Sequence, residues 1–151
     1  MKKVILIVAL MLGIAVAASA QPRAIGLRGG PWASELSYQH SLGSNFLEAD
    51  LGLWYSGGLD FALAYDFSVA PVGPFNFYVG PAAEFQLYNY TNAEGNSALG
   101  MNVGVGAQLG LEYIFSEIPL QLSLDWRPLV TFIGGVGFGW QGVAFGIRYT
   151  F

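Results

Sequence analysis

The sequence predicts an all-β fold: an eight-stranded antiparallel up-and-down transmembrane β-barrel, preceded by a cleaved signal peptide. Three observations carry that expectation. The chain opens on a secretion signal, its remainder is apolar yet lacks a helical span, and its apolar residues alternate with small and charged ones.

Lys2 and Lys3 form a positive start, residues 4–18 an apolar run, and Ala18-Ser19-Ala20 the small-residue pattern that a signal peptidase accepts. The run is short for a membrane anchor, which needs ~20 apolar residues. Cleavage is expected after Ala20, giving a signal peptide over 1–20 and one barrel domain over 21–151. With no cysteine in the chain, a lipid anchor on cysteine, disulfides and thiol chemistry are excluded.

Without Lys2 and Lys3, four arginines face ten acids, a formal charge of −6, and no lysine remains. So acidic a chain has no means of gripping phosphates, and nucleic acid is excluded as a partner. The composition is 54% hydrophobic and only 11% charged. The most apolar later stretch, 129–140, is broken by Gly134, Gly135, Gly137 and Gly139. An apolar chain without spanning helices has one other way to live in lipid, a closed barrel that satisfies every backbone donor internally.

Period-2 alternation marks the strands. The last segment sets Val143, Phe145, Ile147, Tyr149 and Phe151 against Gly142, Ala144, Gly146, Arg148 and Thr150. Leu120, Leu122, Leu124 and Trp126 oppose Gln121, Ser123, Asp125 and Arg127 in the seventh. The sixth runs from Met101 to Tyr113, with Gln108 and Glu112 on its small-residue face. The fourth sets Phe61, Leu63, Tyr65 and Phe67 against Asp60, Ala62, Ala64 and Asp66. Segments 75–88 and 45–55 behave similarly, and 22–30 and 32–39 complete the eight. Glycine, proline and serine clusters at 29–31, 41–44, 56–58, 71–74, 91–97, 116–119 and 134–135 supply the seven connections. Each strand is expected to have the ~9–11 residues of a tilted bilayer crossing. Pro81 and Pro128 interrupt segments five and seven, and a bulge or a strand end is expected at each. At Pro128 a bulge would turn Leu129 and Ile133 back towards lipid.

The faces decide the environment. A soluble barrel would hide its Leu/Phe/Val face and show water a charged one. Here the second face is glycine, alanine, serine and amides, which suits a narrow interior. Arg28, Glu35, Glu48, Asp50, Asp60, Asp66, Glu84, Glu112, Asp125, Arg127 and Arg148 all fall on it. The large apolar face is therefore expected to meet lipid, where an arginine near the midplane would cost ~2–4 kcal/mol. A signal peptide and an even strand count put both ends in the periplasm. The turns at Gly43, Gly73 and Glu117 lie on that side, and those at Pro31, Gly57, Glu94 and Gly135 outside. The longest connection, 90–98, is outer. Aromatic girdles are expected at both interfaces: Tyr38, Phe75, Tyr113, Phe115, Tyr149 and Phe151 below, Trp32, Tyr55, Tyr88, Phe138 and Trp140 above.

The terminal Arg148-Tyr149-Thr150-Phe151 resembles the C-terminal signal read by the outer-membrane assembly machinery, with Tyr149 and Phe151 its aromatics. The chain from Gln21 onward is similar to small eight-stranded outer-membrane proteins of the OmpA/OmpX type. Residues 26–30, 35–39, Gly80-Pro81 and 119–128 resemble a Bacteroidetes branch of such barrels. The resemblance implies an outer-membrane location and brings no catalytic motif.

Function is expected to be structural or surface-associated: no enzyme, no cofactor and no metal. The inward charges are read as a network that plugs the lumen, with Asp125, Arg127, Glu84, Asp50 and Arg28 at comparable depth and Arg148 within reach of Glu112, Glu48 or Asp66. The expected partners are outer-membrane lipids, lipopolysaccharide and the assembly machinery, and the barrel is expected to be a monomer. The alternative is a narrow porin-like channel or small-ligand transporter, motivated by eight inward acids against three inward arginines. A lipid-modifying enzyme would need His40, the sole histidine, beside a serine at the outer rim, but His40 is expected at a periplasmic turn beside Ser41. The carboxylates Glu48, Asp50 and Asp66 could in principle hold Ca²⁺, an unspecific signal.

Overall fold

The computed structural model describes residues 22–151. The expected signal peptide, 1–20, and Gln21 lie outside the described residues. Ten strands follow in chain order: β1 (Pro22–Gly29), β2 (Ala33–Leu42), β3 (Asn45–Trp54), β4 (Leu59–Val72), β5 (Phe75–Thr91), β6 (Ser97–Ile114), β7 (Leu120–Trp126), β8 (Leu129–Ile133), β9 (Gly137–Gly139) and β10 (Ala144–Thr150). From β1 to β7 neighbours along the chain pair antiparallel, and β1 pairs with β10 to close the sheet. β7 and β8 both lie along β6, as two pieces of one strand; β9 and β10 pair with β8 and β7 as two pieces of the next. The result is a closed antiparallel barrel of eight strands, with no α-helix among the described residues.

Local chemistry explains the corners. Leu42↔Asn45 and Val72↔Phe75 close two-residue hairpins. Their first turn residues, Gly43 and Gly73, have φ of 72° and 60°, the left-handed backbone that matches strand twist and that glycine adopts freely. These two turns, the 115–119 connection and the outer ends of β1 and β10 share one end of the barrel, the terminal end. The opposite, hairpin end carries the other four connections.

The pleat sorts side chains by size and charge. Leu27, Leu53, Leu124 and Phe145 point outward and are 61, 60, 56 and 52% exposed. The interior holds arginines, carboxylates and amides instead, and its largest buried apolar cluster is only Ala64, Ala82 and Leu129. The usual polarity of a folded domain is reversed.

Several expectations are corrected. Pro81 is neither a bulge nor a strand end: β5 runs through it and pairs it with Ala107 in unbroken register. On the other side, where a ladder needs the missing N–H, the bridges to β4 skip from Ala64↔Ala82 to Phe67↔Val79. The bulge lies elsewhere, between Ser68 and Ala70. At Pro128 the strand does break, between β7 and β8, but β6 keeps one register across the break. Leu129 consequently stays inside, buried, while Ile133 is exposed; the shift comes near Phe132, between Thr131 and Ile133. The 90–98 connection is shorter than expected, because β5 and β6 pair out to Thr91↔Ser97 and leave only 92–96 as turn. At 17 and 18 residues, these two strands exceed a simple crossing and project beyond their neighbours. His40 is not at a turn: it lies within β2 opposite Leu47, with Nδ1 3.2 Å from the Tyr38 hydroxyl.

Candidate functional site

The lumen gathers the chain's chemistry. Of the eleven inward charges expected from alternation, ten are buried and Glu84 is half-buried. Three tiers of contacts occupy the barrel from end to end.

Nearest the hairpin end, Arg28 of β1 donates to Glu35 and, through Nε at 2.8 Å, to Asp125. Arg28 and Glu35 are direct cross-strand partners, so the β1–β2 register itself brings the charges together. Its Nη2 also reaches the Gly142 carbonyl at 3.1 Å, beside the gap between β9 and β10.

The middle tier is built on Glu48. Its Oε1 accepts from Gln108 at 3.1 Å and Arg127 at 3.3 Å; its Oε2 accepts from Gln39 at 2.7 Å and Arg148 at 3.1 Å. Four donors match the roughly four lone-pair sites of a carboxylate, so this fully buried anion is saturated. Arg127 also pairs with Asp50, and Arg148 is held by the Ser37 and Ser123 hydroxyls at 2.9 and 2.7 Å. Among the three candidates for Arg148, Glu48 is its partner.

At the terminal end Glu112 accepts from Arg23, from Asn76 at 2.7 Å and from Gln121 at 2.7 Å. Gln121 donates to Gln39 at 3.1 Å and ties this tier to the middle one. Arg23 also lies 4.0 Å over the Phe46 ring, which meets Tyr78 edge-on at 5.2 Å.

Alternation alone does not find Arg23, because it shares the odd phase of outward Ile25 and Leu27. A register shift between Pro22 and Ala24 re-aims it inward. Gln39, Gln108 and Gln121 carry an inward phase in the sequence, but amides announce no charge pairing and their bridging role shows only in three dimensions.

No family model, curated protein or solved structure matches the chain.

What the site does follows from its geometry. A cavity of about 910 Å³ opens at the terminal end, near Arg23, Asn76 and Tyr113, and one of about 310 Å³ at the hairpin end, near Trp54, Gln86 and Asn102. In the tier nearest the hairpin end, the void beside Arg28, Glu35 and Arg127 measures about 30 Å³, room for about one water. Both mouths are open and the waist is filled. Three inward acids make no ion pair among the described residues: Asp60, Asp66, which accepts from Gln108 at 3.0 Å, and Glu84, which accepts from Gln86.

Proposed function

We propose that this chain is an integral outer-membrane β-barrel of a Gram-negative cell, a non-enzymatic monomer with a structural or surface-associated role and a plugged lumen. The observation that carries the reading is the reversed polarity: a belt of exposed Leu, Val, Ile and Phe outside, and buried ion pairs inside. Monomeric soluble proteins rarely expose contiguous apolar patches above ~300–600 Å², whereas a barrel in lipid requires one all round. Edge-on aromatic pairs support interfaces at both ends. Phe75–Tyr113, Tyr113–Phe115 and Tyr149–Phe151 lie at the terminal end, and Phe138–Trp140 lies towards the other. The secretion signal at 1–20 and the aromatic terminus Tyr149-Thr150-Phe151 support export and hand-over to the assembly machinery, with both ends periplasmic. Outer-membrane lipids and lipopolysaccharide are then the surroundings.

Membrane fractionation tests this directly, with the chain expected in the outer-membrane fraction and resistant to alkaline extraction. On a gel, unheated and boiled samples in detergent should migrate differently, as an intact barrel resists the detergent. Recovery in the soluble fraction, or equal mobility in both lanes, overturns the reading.

A narrow cation path is the second reading. The observation favouring it is the surplus of acid: Asp60, Asp66 and Glu84 make no ion pair among the described residues, and Asp60 and Glu84 line the small void beside Arg28. Planar-bilayer recording separates the two. The plugged barrel gives no discrete conductance, and neither does Arg127→Ala if no path exists.

A further inference from the structure

The cavity at the hairpin end has none of the paired charges in its lining. It forms between the β3–β4 turn and the projecting part of the β5–β6 hairpin, with about 310 Å³ of space, near the lower end of the ~300–1,000 Å³ usual for small-ligand pockets. Its polar groups are the hydroxyl of Ser56, the indole of Trp54, the phenol of Tyr88 and the amides of Gln86, Asn89 and Asn102. None of its lining residues is charged. An ionic ligand would find no counter-charge in that lining. Aromatic faces beside uncharged amides suit a molecule with both C–H faces and hydroxyl edges.

Two features look built. The Tyr88 ring lies so close to Gly100 that a Cβ there would overlap it, and glycine leaves room for the ring. The amides are also oriented. Glu84 is an acceptor and fixes the Gln86 amide as donor; the Gln86 carbonyl then accepts from Asn102 Nδ2 at 3.2 Å. The relay turns Asn102 so that its Oδ1 is left to accept from elsewhere. The Trp54 indole N–H is shielded and meets no acceptor among the described residues, which is rare for a tryptophan donor. A small turn of the ring would offer that donor to the cavity.

From this lining we infer that the cavity is a binding site for a neutral saccharide, one or two rings in size. One sugar face packs on Tyr88 or Trp54, a hydroxyl donates to Asn102 Oδ1, and another oxygen accepts from Trp54 Nε1. The cavity belongs to the barrel itself, so the inference stands whatever surrounds the exterior.

The test uses the full chain, with its signal peptide removed if cleaved, in a detergent without a sugar headgroup. Glucose, galactose, N-acetylglucosamine and their β-linked disaccharides are titrated while the Trp54 indole N–H signal is followed by NMR, with Trp54→Phe assigning the peak. The expected result is a saturable shift with at least one saccharide at millimolar concentration, weakened tenfold or more in Asn102→Ala. The heat-dependent gel shift reports separately that each variant still forms the barrel. Absence of a saturable shift with every saccharide up to about 100 mM, well above a ~1 mM constant, overturns the inference. So does a shift produced only by tetramethylammonium, which would assign the aromatics to an organic cation, or saccharide binding that Asn102→Ala leaves unchanged.

Discussion

Arg127 donates from Nε to Gln108 Oε1 at 2.7 Å, while Nε2 of the same amide donates to Glu48 at 3.1 Å and Asp66 at 3.0 Å. The glutamine thus stands between a cation and two anions, accepting from one and donating to the others. Gln108→Leu would strip partners from three buried charged groups at once. Because a buried charged group left unsatisfied costs at least ~1–3 kcal/mol, a stability loss of about 3 kcal/mol is expected in urea unfolding of the vesicle-bound protein. A loss below about 0.5 kcal/mol would show that the amide is not part of the network.

The four arginines should not be equivalent. Arg127 has a side chain 1% exposed and pairs with Glu48 and Asp50, whereas Arg23 is 17% exposed near the terminal mouth. Breaking a buried pair from one side costs ~3–5 kcal/mol and exposed pairs are worth ~0–1 kcal/mol; Arg23 lies between these limits, and without it the buried Glu112 keeps Asn76 and Gln121 as donors. Arg127→Met is expected to lose about 4 kcal/mol and Arg23→Met about 1 kcal/mol, read from the same unfolding curves. Equal losses would place the two ion pairs in equivalent surroundings.

Space inside the barrel is as restrictive as charge. A Cβ on Gly110 would overlap the Tyr78 ring, which is itself buried against Phe46. Gly110→Ala is expected to destabilise by ~1–3 kcal/mol through overpacking. A double-mutant cycle isolates the cause: in a Tyr78→Leu background most of that loss should vanish. An undiminished loss in that background would move the cause from ring overlap to the backbone.

Alternation and turn residues were enough to read eight strands and the inward charges from the sequence, because a period of two puts every second residue on one face. What escaped that reading has local physical causes. A bulge hid Arg23 by adding one residue to its strand, a device that leaves no mark on composition. Leu129 is inside because register survives the missing N–H of Pro128, and Phe46 because Tyr78 and Arg23 give an aromatic ring company within a polar lumen. The reach of β5 and β6 was obscured by Asn89, Asn92, Asn96 and Gly95, which read as loop although only 92–96 turn. The Glu48 hub was legible as an inward acid, but not its four donors, which come from β2, β6, β10 and the β7–β8 break.

The exterior offers the sharpest test of what surrounds the barrel. Ile147 sits at the middle of β10, paired with Leu27 of β1 and Leu122 of β7, and is 46% exposed. In water an arginine at such a surface position changes stability by no more than ~0.5 kcal/mol. In a bilayer the same residue near the midplane costs ~2–4 kcal/mol. Ile147→Arg should therefore lose about 3 kcal/mol in vesicles relative to Ile147→Ala, the comparison that removes the lost packing from the difference. The inward Ser123 neighbours Leu122 in sequence but touches only lumen groups, so Ser123→Ala should show the same loss in vesicles and in detergent. A negligible difference between Ile147→Arg and Ile147→Ala in vesicles would mean that the apolar belt faces something other than lipid.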